Sequence, residues 1–544
     1  MSNFTNTNYK LDIIVCLVFL SLAIFVHMGR IGSSIGGIDL STDTANYATM
    51  AAAMSHPDVF AKDPVYNDKD RYGVHVTNIT ILVNYIADIF RDGKDYSLAY
   101  LDITGFQFFF HHLTFYILGI VLLKKRWQAF IFTMLMGQIY WISWGTYWGD
   151  GYIDHLPRTT FATFYALFVV AALKILDKPK KWPIFMVGIG LMVYIHSIST
   201  LPTAFGFWLG FACYKPKEST WKKHIAWMFF CGLCFLVVIF PFVLKYIRPS
   251  IEFTASDIAL LKEILLLRYD WETTYYVRGL LEFVWHYILL PVFPLGIIGF
   301  VLMRCYGNTQ DRVYAIQFAC WSVGPLVCVL LYALDHELAK ILGRNPLQFD
   351  LIRVVRFWVF FAFCLTFMGF NVLWQHAKQQ NIRYLAGFLW IAFAIGLFFG
   401  GQHDAMRASA LWFWNKLDDT RYATAYAEKI QHAEMLKAIQ DNTPKDALIF
   451  SNDGDRTIRY KALRPLVYSW KDTSLYYYAK DMDGIRFWYA MQKALKVSPT
   501  AYINLALDNK AEYIVSSRVQ DKEALLKVGS IVWQSPYYLL VKVN

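Results

Sequence analysis

The chain has 544 residues, of which 56% are hydrophobic and 17% charged. Soluble globular domains carry about 25% charged residues, so a wholly soluble protein is excluded. The formal charge of +11 does not point to nucleic acid, because the basic residues crowd into connectors on one side of a series of apolar runs.

Two regimes divide the sequence. Residues 1–401 alternate apolar runs with short polar connectors, and residues 402–544 have the composition of a soluble domain. None of the eight cysteines falls in that second part, and no spacing resembles a disulfide framework or a zinc site. Cys231 and Cys234 form a C-x-x-C inside an apolar run, where small packing residues are the simpler reading.

A spanning helix needs about 20 apolar residues, and eleven runs, from Leu11–Met28 to Tyr384–Gly400, read as spans. Leu11–Met28 reads as an uncleaved anchor, since its leading segment has only Lys10 and the run is long for a signal peptide. Trp182–Ile195 and Thr200–Tyr214 are short, and His196, Ser197 and Ser199 separate them. A helix pair broken at a polar turn fits a face that lines a cavity better than one that touches lipid.

The connectors Lys124–Arg126, Lys174–Lys181, Lys215–Lys223, Arg304–Arg312 and Lys378–Arg383 are short and rich in Lys and Arg. Such loops stay in the cytoplasm. The N-terminus is then cytoplasmic as well. With an odd number of spans, the long polar segments 31–97 and 247–282 and the domain 402–544 all lie outside. The expected fold is a polytopic α-helical membrane protein with a C-terminal soluble α/β domain.

The first external segment is the most informative. Asp39 and Asp43 precede a helix-forming stretch, Ala45–Met54, and Asp43 sits where a helix N-cap is expected. Pro57 ends that helix, and Asp63-Pro64 marks a second turn. Each of Asp39, Asp43 and Asp63 reads either as a capping or turn residue or as a carboxylate held at the membrane boundary. A carboxylate there can act as general base toward a hydroxyl, or can help to hold a divalent cation, magnesium or manganese.

Further along, Trp141, Trp144, Tyr147 and Trp148 cluster beside Asp150 at one outer span end. They suit either an aromatic belt or a platform for a sugar ring. In the C-terminal part, Tyr422–Ile439, Ile485–Leu495 and Thr500–Asp508 read as helices. Ala447–Phe450, Pro465–Ser469, Tyr513–Ser516, Ile531–Gln534 and Tyr538–Val543 read as strands. No Gly-rich phosphate loop or nucleophile motif occurs there.

A first span, then an external Asp followed shortly by Tyr, then an amphipathic helix and Phe60-x-x-Asp63-Pro64 together resemble the GT-C superfamily of polytopic glycosyltransferases. The segments Thr443–Phe450, Arg456–Tyr460 and Arg464–Lys471 resemble the external domain of a bacterial subgroup of that superfamily. The resemblance implies a hexosyl or pentosyl transferase of a bacterial inner membrane, active in cell-envelope glycan or glycolipid synthesis. It would take a sugar from a polyprenyl-phosphate donor and pass it, with inversion, to a glycan, lipid or protein acceptor on the external face. The superfamily's catalytic Asp maps to Asp43, with Asp39 as second choice and Asp63 at the second acidic position. Asp43 and Asp63 are also the candidates for any divalent cation, although the loop has no adjacent Asp-Glu pair such as better-studied branches carry.

A phosphate carrier needs cations at the outer boundary, and the planar fork of arginine suits phosphate. Candidates are Arg158 with His155 at the start of one span, Arg278 in the segment 247–282, and Arg353 and Arg356 entering another span. Each reads either as an interfacial anchor or as a phosphate ligand. His196 reads as a buried, hydrogen-bonded residue or as a member of the same site. Two rival functions are a surface-polysaccharide polymerase or ligase, against which the acidic first loop argues, and a transporter or flippase of lipid-linked substrate, for which repeat-related halves are missing.

Overall fold

The computed structural model describes residues 9–40, 42–140, 157–247, 254–269, 292–342, 354, 356–498 and 500–544. Among these residues, seven helices are long and apolar enough to cross a membrane. They are α1 (Tyr9–Ser33), α5 (Tyr96–Leu123), α7 (Pro157–Ile175), α10 (Trp221–Ile247), α13 (Thr309–Leu342), α14 (Arg356–His376) and α15 (Gln380–Gly400). The other four expected runs fall on α6 (Arg126–Met136), α8 (Trp182–Leu191), α9 (Val193–Cys213) and α12 (Val292–Tyr306). At 1.5 Å per residue, α6 and α8 each extend only about 15 Å, half of a bilayer's apolar core. The protein is a polytopic helical membrane protein with a small C-terminal sheet.

The basic connectors gather at one end of the bundle. Lys124 pairs with Asp311 at 3.7 Å, and Lys125 lies over the Trp374 ring. The Trp227 indole donates to the Pro179 carbonyl at 3.0 Å, and the Gln317 amide donates to the Gly210 carbonyl at 3.0 Å. Asp12, near the start of α1, pairs with Arg126 at 2.7 Å, which brings the N-terminal end of α1 to the same side.

Helices α8 and α9 form an antiparallel hairpin. Trp182 stacks on Phe211 with ring centroids 4.9 Å apart, and Phe185 meets Phe207 edge-on at 5.1 Å. The reversal falls at His196, whose φ of −152° and ψ of 96° interrupt the helix. Its imidazole bonds the Ser199 hydroxyl at 2.8 Å, and Thr200 donates to its carbonyl. These bonds satisfy polar groups that the broken helix leaves over.

At the opposite end, the segment after α1 folds into α2 (Thr42–Ser55), a short α3 (Lys69–Tyr72) and α4 (Asn78–Phe90). Helix α2 begins at Thr42, which puts Asp43 in its first turn rather than at its cap, and it ends before Pro57 as expected. Helix α11 (Ala255–Tyr269) lies in the polar segment that follows α10.

After α15, α16 (Asp404–Lys416) packs along α1, and α17 (Asp419–Asn442) leads into the sheet domain. That domain contains β1 (Ile449–Ser451), α18 (Thr457–Tyr460), α19 (Asp472–Ala479), α20 (Met482–Leu495), α21 (Ala501–Asp508), β2 (Tyr513–Ser516), α22 (Lys522–Leu526), β3 (Gly529–Gln534) and β4 (Leu539–Val543). The strand order is β1-β2-β4-β3, with β1 and β2 parallel and the other pairs antiparallel.

The expected strand Pro465–Ser469 does not form and makes only a single bridge to Ile449. Pro465 has no N–H, the Leu466 N–H goes to Asp63 at 3.0 Å, and the Ser469 N–H goes to Asp472 at 2.8 Å. Buried carboxylates have taken the donors that a further ladder would use.

The segment between α1 and α5, the start of α5 and the sheet domain share one apolar core. Ala45, Ala48, Phe60 and Tyr100 pack in the same cluster as Phe450, Tyr460, Trp488 and Ile514. Polar ties cross the seam: Arg71–Asp481 at 2.7 Å, Lys461–Asp95 at 2.5 Å, and the Tyr460 hydroxyl to the Ile38 carbonyl at 3.1 Å.

Candidate functional site

Asp43 stands in the first turn of α2, where the helix dipole favours negative charge. Its two carboxylate oxygens face different parts of the molecule. Oδ2 is 3.4 Å from an Arg158 nitrogen at the start of α7, and Oδ1 is 3.3 Å from Lys471 Nζ of the sheet domain. The Asp43 side chain is 39% exposed, so a substrate hydroxyl can reach it, whereas Arg158 is 13% exposed.

One turn beyond Asp43, Tyr47 enters the wall of a cavity of about 370 Å³. The α8–α9 hairpin supplies Tyr194, His196 and Ser197, the end of α10 supplies Phe242 and Lys245, and residues 75–77 and Tyr478 close the remaining sides. Burial, with Asp43 next in weight, pushes the Tyr47 phenol well above its usual range, so it stays a proton donor. Lys245 reaches the Gly73 carbonyl at 2.5 Å, and Tyr478 meets His75 edge-on at 4.8 Å. Phe161, one turn below Arg158, contacts both His196 and Phe357 by its ring, at 6.5 and 6.0 Å between centroids. The N-terminal ends of α7, α9 and α14 therefore converge, and Arg356 opens α14 there, buried.

The expected residues thus divide. Asp43, Arg158, His196 and Arg356 come to one region. Asp39 lies apart from this set on Lys429 of α17, at 2.5 Å, with its side chain 53% exposed.

Asp63 is fully buried and engaged. Its Oδ1 accepts from the N–H groups of Val65 and Tyr66, its Oδ2 accepts from Leu466 N–H, and Arg459 binds both oxygens at 3.2 and 2.8 Å. Arg459 also binds Asp472 at 2.7 and 3.1 Å. With five donors on two oxygens, Asp63 has no lone pair to offer an acceptor hydroxyl or a cation. Its geometry is that of a structural carboxylate, which corrects the expectation of a supporting catalytic or metal-binding role. Among the described residues no three His, Cys, Asp or Glu side chains converge as metal ligands. The cations on Asp43 and the donors on Asp63 do not fit a shared divalent-cation site.

His155, Arg278, Arg353 and the cluster Trp141, Trp144, Tyr147, Trp148 and Asp150 lie outside the described residues. Sequence reasoning missed Lys245, His75, Tyr478 and Lys471. Lys245 had a signal: it is a cation at the C-terminal end of a long apolar run, on the side away from the basic connectors. Lys471 had no local signal of a role, since its partner is 428 residues away.

No protein-family model matches the chain, and no curated protein matches it. Among solved structures, the chain is similar to ArnT from Cupriavidus metallidurans bound to undecaprenyl phosphate. The TM-score is 0.44 at 12% identity over 96% of this chain and 97% of that one. The apo state of the same protein gives a TM-score of 0.37 at 11% identity over the same shares.

Proposed function

We propose that the chain is a membrane glycosyltransferase that moves a sugar from a polyprenyl-phosphate donor to an acceptor hydroxyl at the outer face of the membrane. One observation carries this reading: Asp43, partly exposed and bound to Arg158, stands one helical turn before Tyr47, which lines a cavity with histidine and lysine. The acidic external loop that suggested the GT-C resemblance supplies that residue.

On this reading the chemistry runs as an inverting displacement. The Asp43 carboxylate accepts the proton of the acceptor hydroxyl, and the oxygen attacks the anomeric carbon. The bond from that carbon to the phosphate oxygen breaks, and its electron pair leaves on the polyprenyl phosphate with inversion at carbon. The phosphate gains negative charge as it departs, so cations already in place favour the transition state more than the ground state. Arg158, Arg356 and Lys245 are the cations this reading assigns to the phosphate, and the phenol of Tyr47 and the imidazole of His196 supply further hydrogen bonds. No metal enters the scheme.

Replacing Asp43 with Asn keeps the shape and removes the base. General-base catalysis contributes about 10²- to 10⁴-fold, so Asp43→Asn is expected to lose transfer by that order while its melting temperature in detergent is unchanged. The measurement is turnover of polyprenyl-phosphate hexose and pentose donors in proteoliposomes, followed as free polyprenyl phosphate. Full turnover by the variant removes Asp43 from the mechanism.

A further inference from the structure

The sheet domain contributes more than a cover. Lys471 immediately precedes α19, and the chain around it is immobilised from several directions. Asp472, the next residue, is buried and bound by Arg459. Asp472 also accepts the Ser469 N–H, Trp470 packs on Trp488 with centroids 5.2 Å apart, and the Lys471 carbonyl accepts from the Ser474 hydroxyl at 2.8 Å. Arg459 is in turn held by Asp63 of the external loop. The buried Asp63–Arg459–Asp472 triad therefore sets where the Lys471 ammonium can reach, and it reaches Oδ1 of Asp43.

We propose that Lys471 is a positioning residue of the transfer site: with Arg158 on the other oxygen, it holds the Asp43 carboxylate in one orientation, so that the site is complete only when the sheet domain is docked. This rests on the reading of Asp43 as the base. Each oxygen has its own cation, one from the spanning helices and one from the sheet domain. Without Lys471 the carboxylate can turn so that both oxygens meet the planar fork of Arg158, the favoured bidentate arrangement. The lone pair aimed at the acceptor is then withdrawn. Lys471 thus acts through Asp43, without touching the reacting atoms.

The test uses the full chain in proteoliposomes with polyprenyl-phosphate hexose and pentose donors. A displacement of about 1 Å at a reacting group can cost about 100-fold, so Lys471→Met is expected to lower kcat by about 10- to 100-fold. KM for the donor should move by less than about threefold, because an orienting contact acts in the transition state. Lys471→Arg, which restores the cation, is expected to recover most of the loss. Lys62→Gln removes a different ion pair across the same seam, to Asp446 and Glu512, and is expected to leave kcat unchanged.

If Lys471→Met melts early, Lys471→Gln decides in its place, since it keeps a hydrogen-bonding head group without the charge. Wild-type kcat in either folded variant overturns the inference, as does failure of Lys471→Arg to recover activity or an equal loss in Lys62→Gln. An active Asp43→Asn overturns instead the reading of the base. An inactive Asp43→Asn beside a fully active Lys471→Met overturns only the role of Lys471.

Discussion

Arg459 is 1% exposed and lies between two carboxylates, Asp63 at 0% and Asp472 at 4%. Burial raises the Asp472 carboxyl while the adjacent guanidinium draws it down. Such a cluster is stable only while every member is present, because removing one partner leaves uncompensated buried charge at a cost of about 3–5 kcal/mol. Arg459→Met is therefore expected to destabilise the packing of the sheet domain on the Asp63 segment by that amount, read as a fall in melting temperature in detergent. A variant that melts like the native chain would show that the triad contributes little. At this scale the sequence offered Asp43 and Asp63 alike as candidates, and it did not show that Asp63 is sealed. Both are short acidic residues in one polar loop, and only the arrival of Arg459, 396 residues away, separates a saturated carboxylate from an accessible one.

At the level of elements, the spans pack through small residues, as helices in lipid do when little hydrophobic force separates lipid from protein. Helices α9 and α13 meet where a Cβ on Gly206 would lie 2.7 Å from the Trp321 carbonyl oxygen, and one on Gly324 would strike the Pro202 carbonyl. Gly299 and Gly369 bring α12 and α14 together in the same way. Gly206→Val is expected to force α9 from α13 and to lower the yield of monodisperse protein, which size-exclusion chromatography in detergent reads directly. The same substitution at Gly396, where nothing lies within 4 Å of a Cβ, is expected to be tolerated. The α8–α9 hairpin was foreseen from the polar break at His196, because a cluster of polar residues between two apolar runs is a local signal. The lost strand at 465–469 was not, because the Leu466 N–H was claimed by Asp63, 403 residues away, and the Ser469 N–H by Asp472.

Over the whole molecule, the segment between α1 and α5 and the sheet domain are one body. Tyr460 and Phe450 of the sheet domain share a core with Ala48 and Phe60 of the loop, and ion pairs from Lys62, Arg71 and Lys461 cross the seam. Deleting residues 402–544 would leave that apolar face open and Asp63 buried without its arginine. The truncated chain is expected to lose protection of residues 42–95 from protease in intact proteoliposomes. Equal protection would mean that the loop folds without the domain.

What the sequence by itself determined are properties set by short windows: the apolar runs, the crowding of basic connectors on one side, the presence of α2 and α17, and the acidic loop that carries Asp43. Hydropathy, helix period and proline act over neighbouring residues, so a linear reading reaches them. Only the tertiary structure decided which carboxylate stays accessible and which is sealed by arginine, and which cations stand beside Asp43. Those pairings join residues 115, 396 and 428 positions apart. The packing of the sheet domain on the external loop sets two of them and the packing of the helices the third, and no local pattern encodes either.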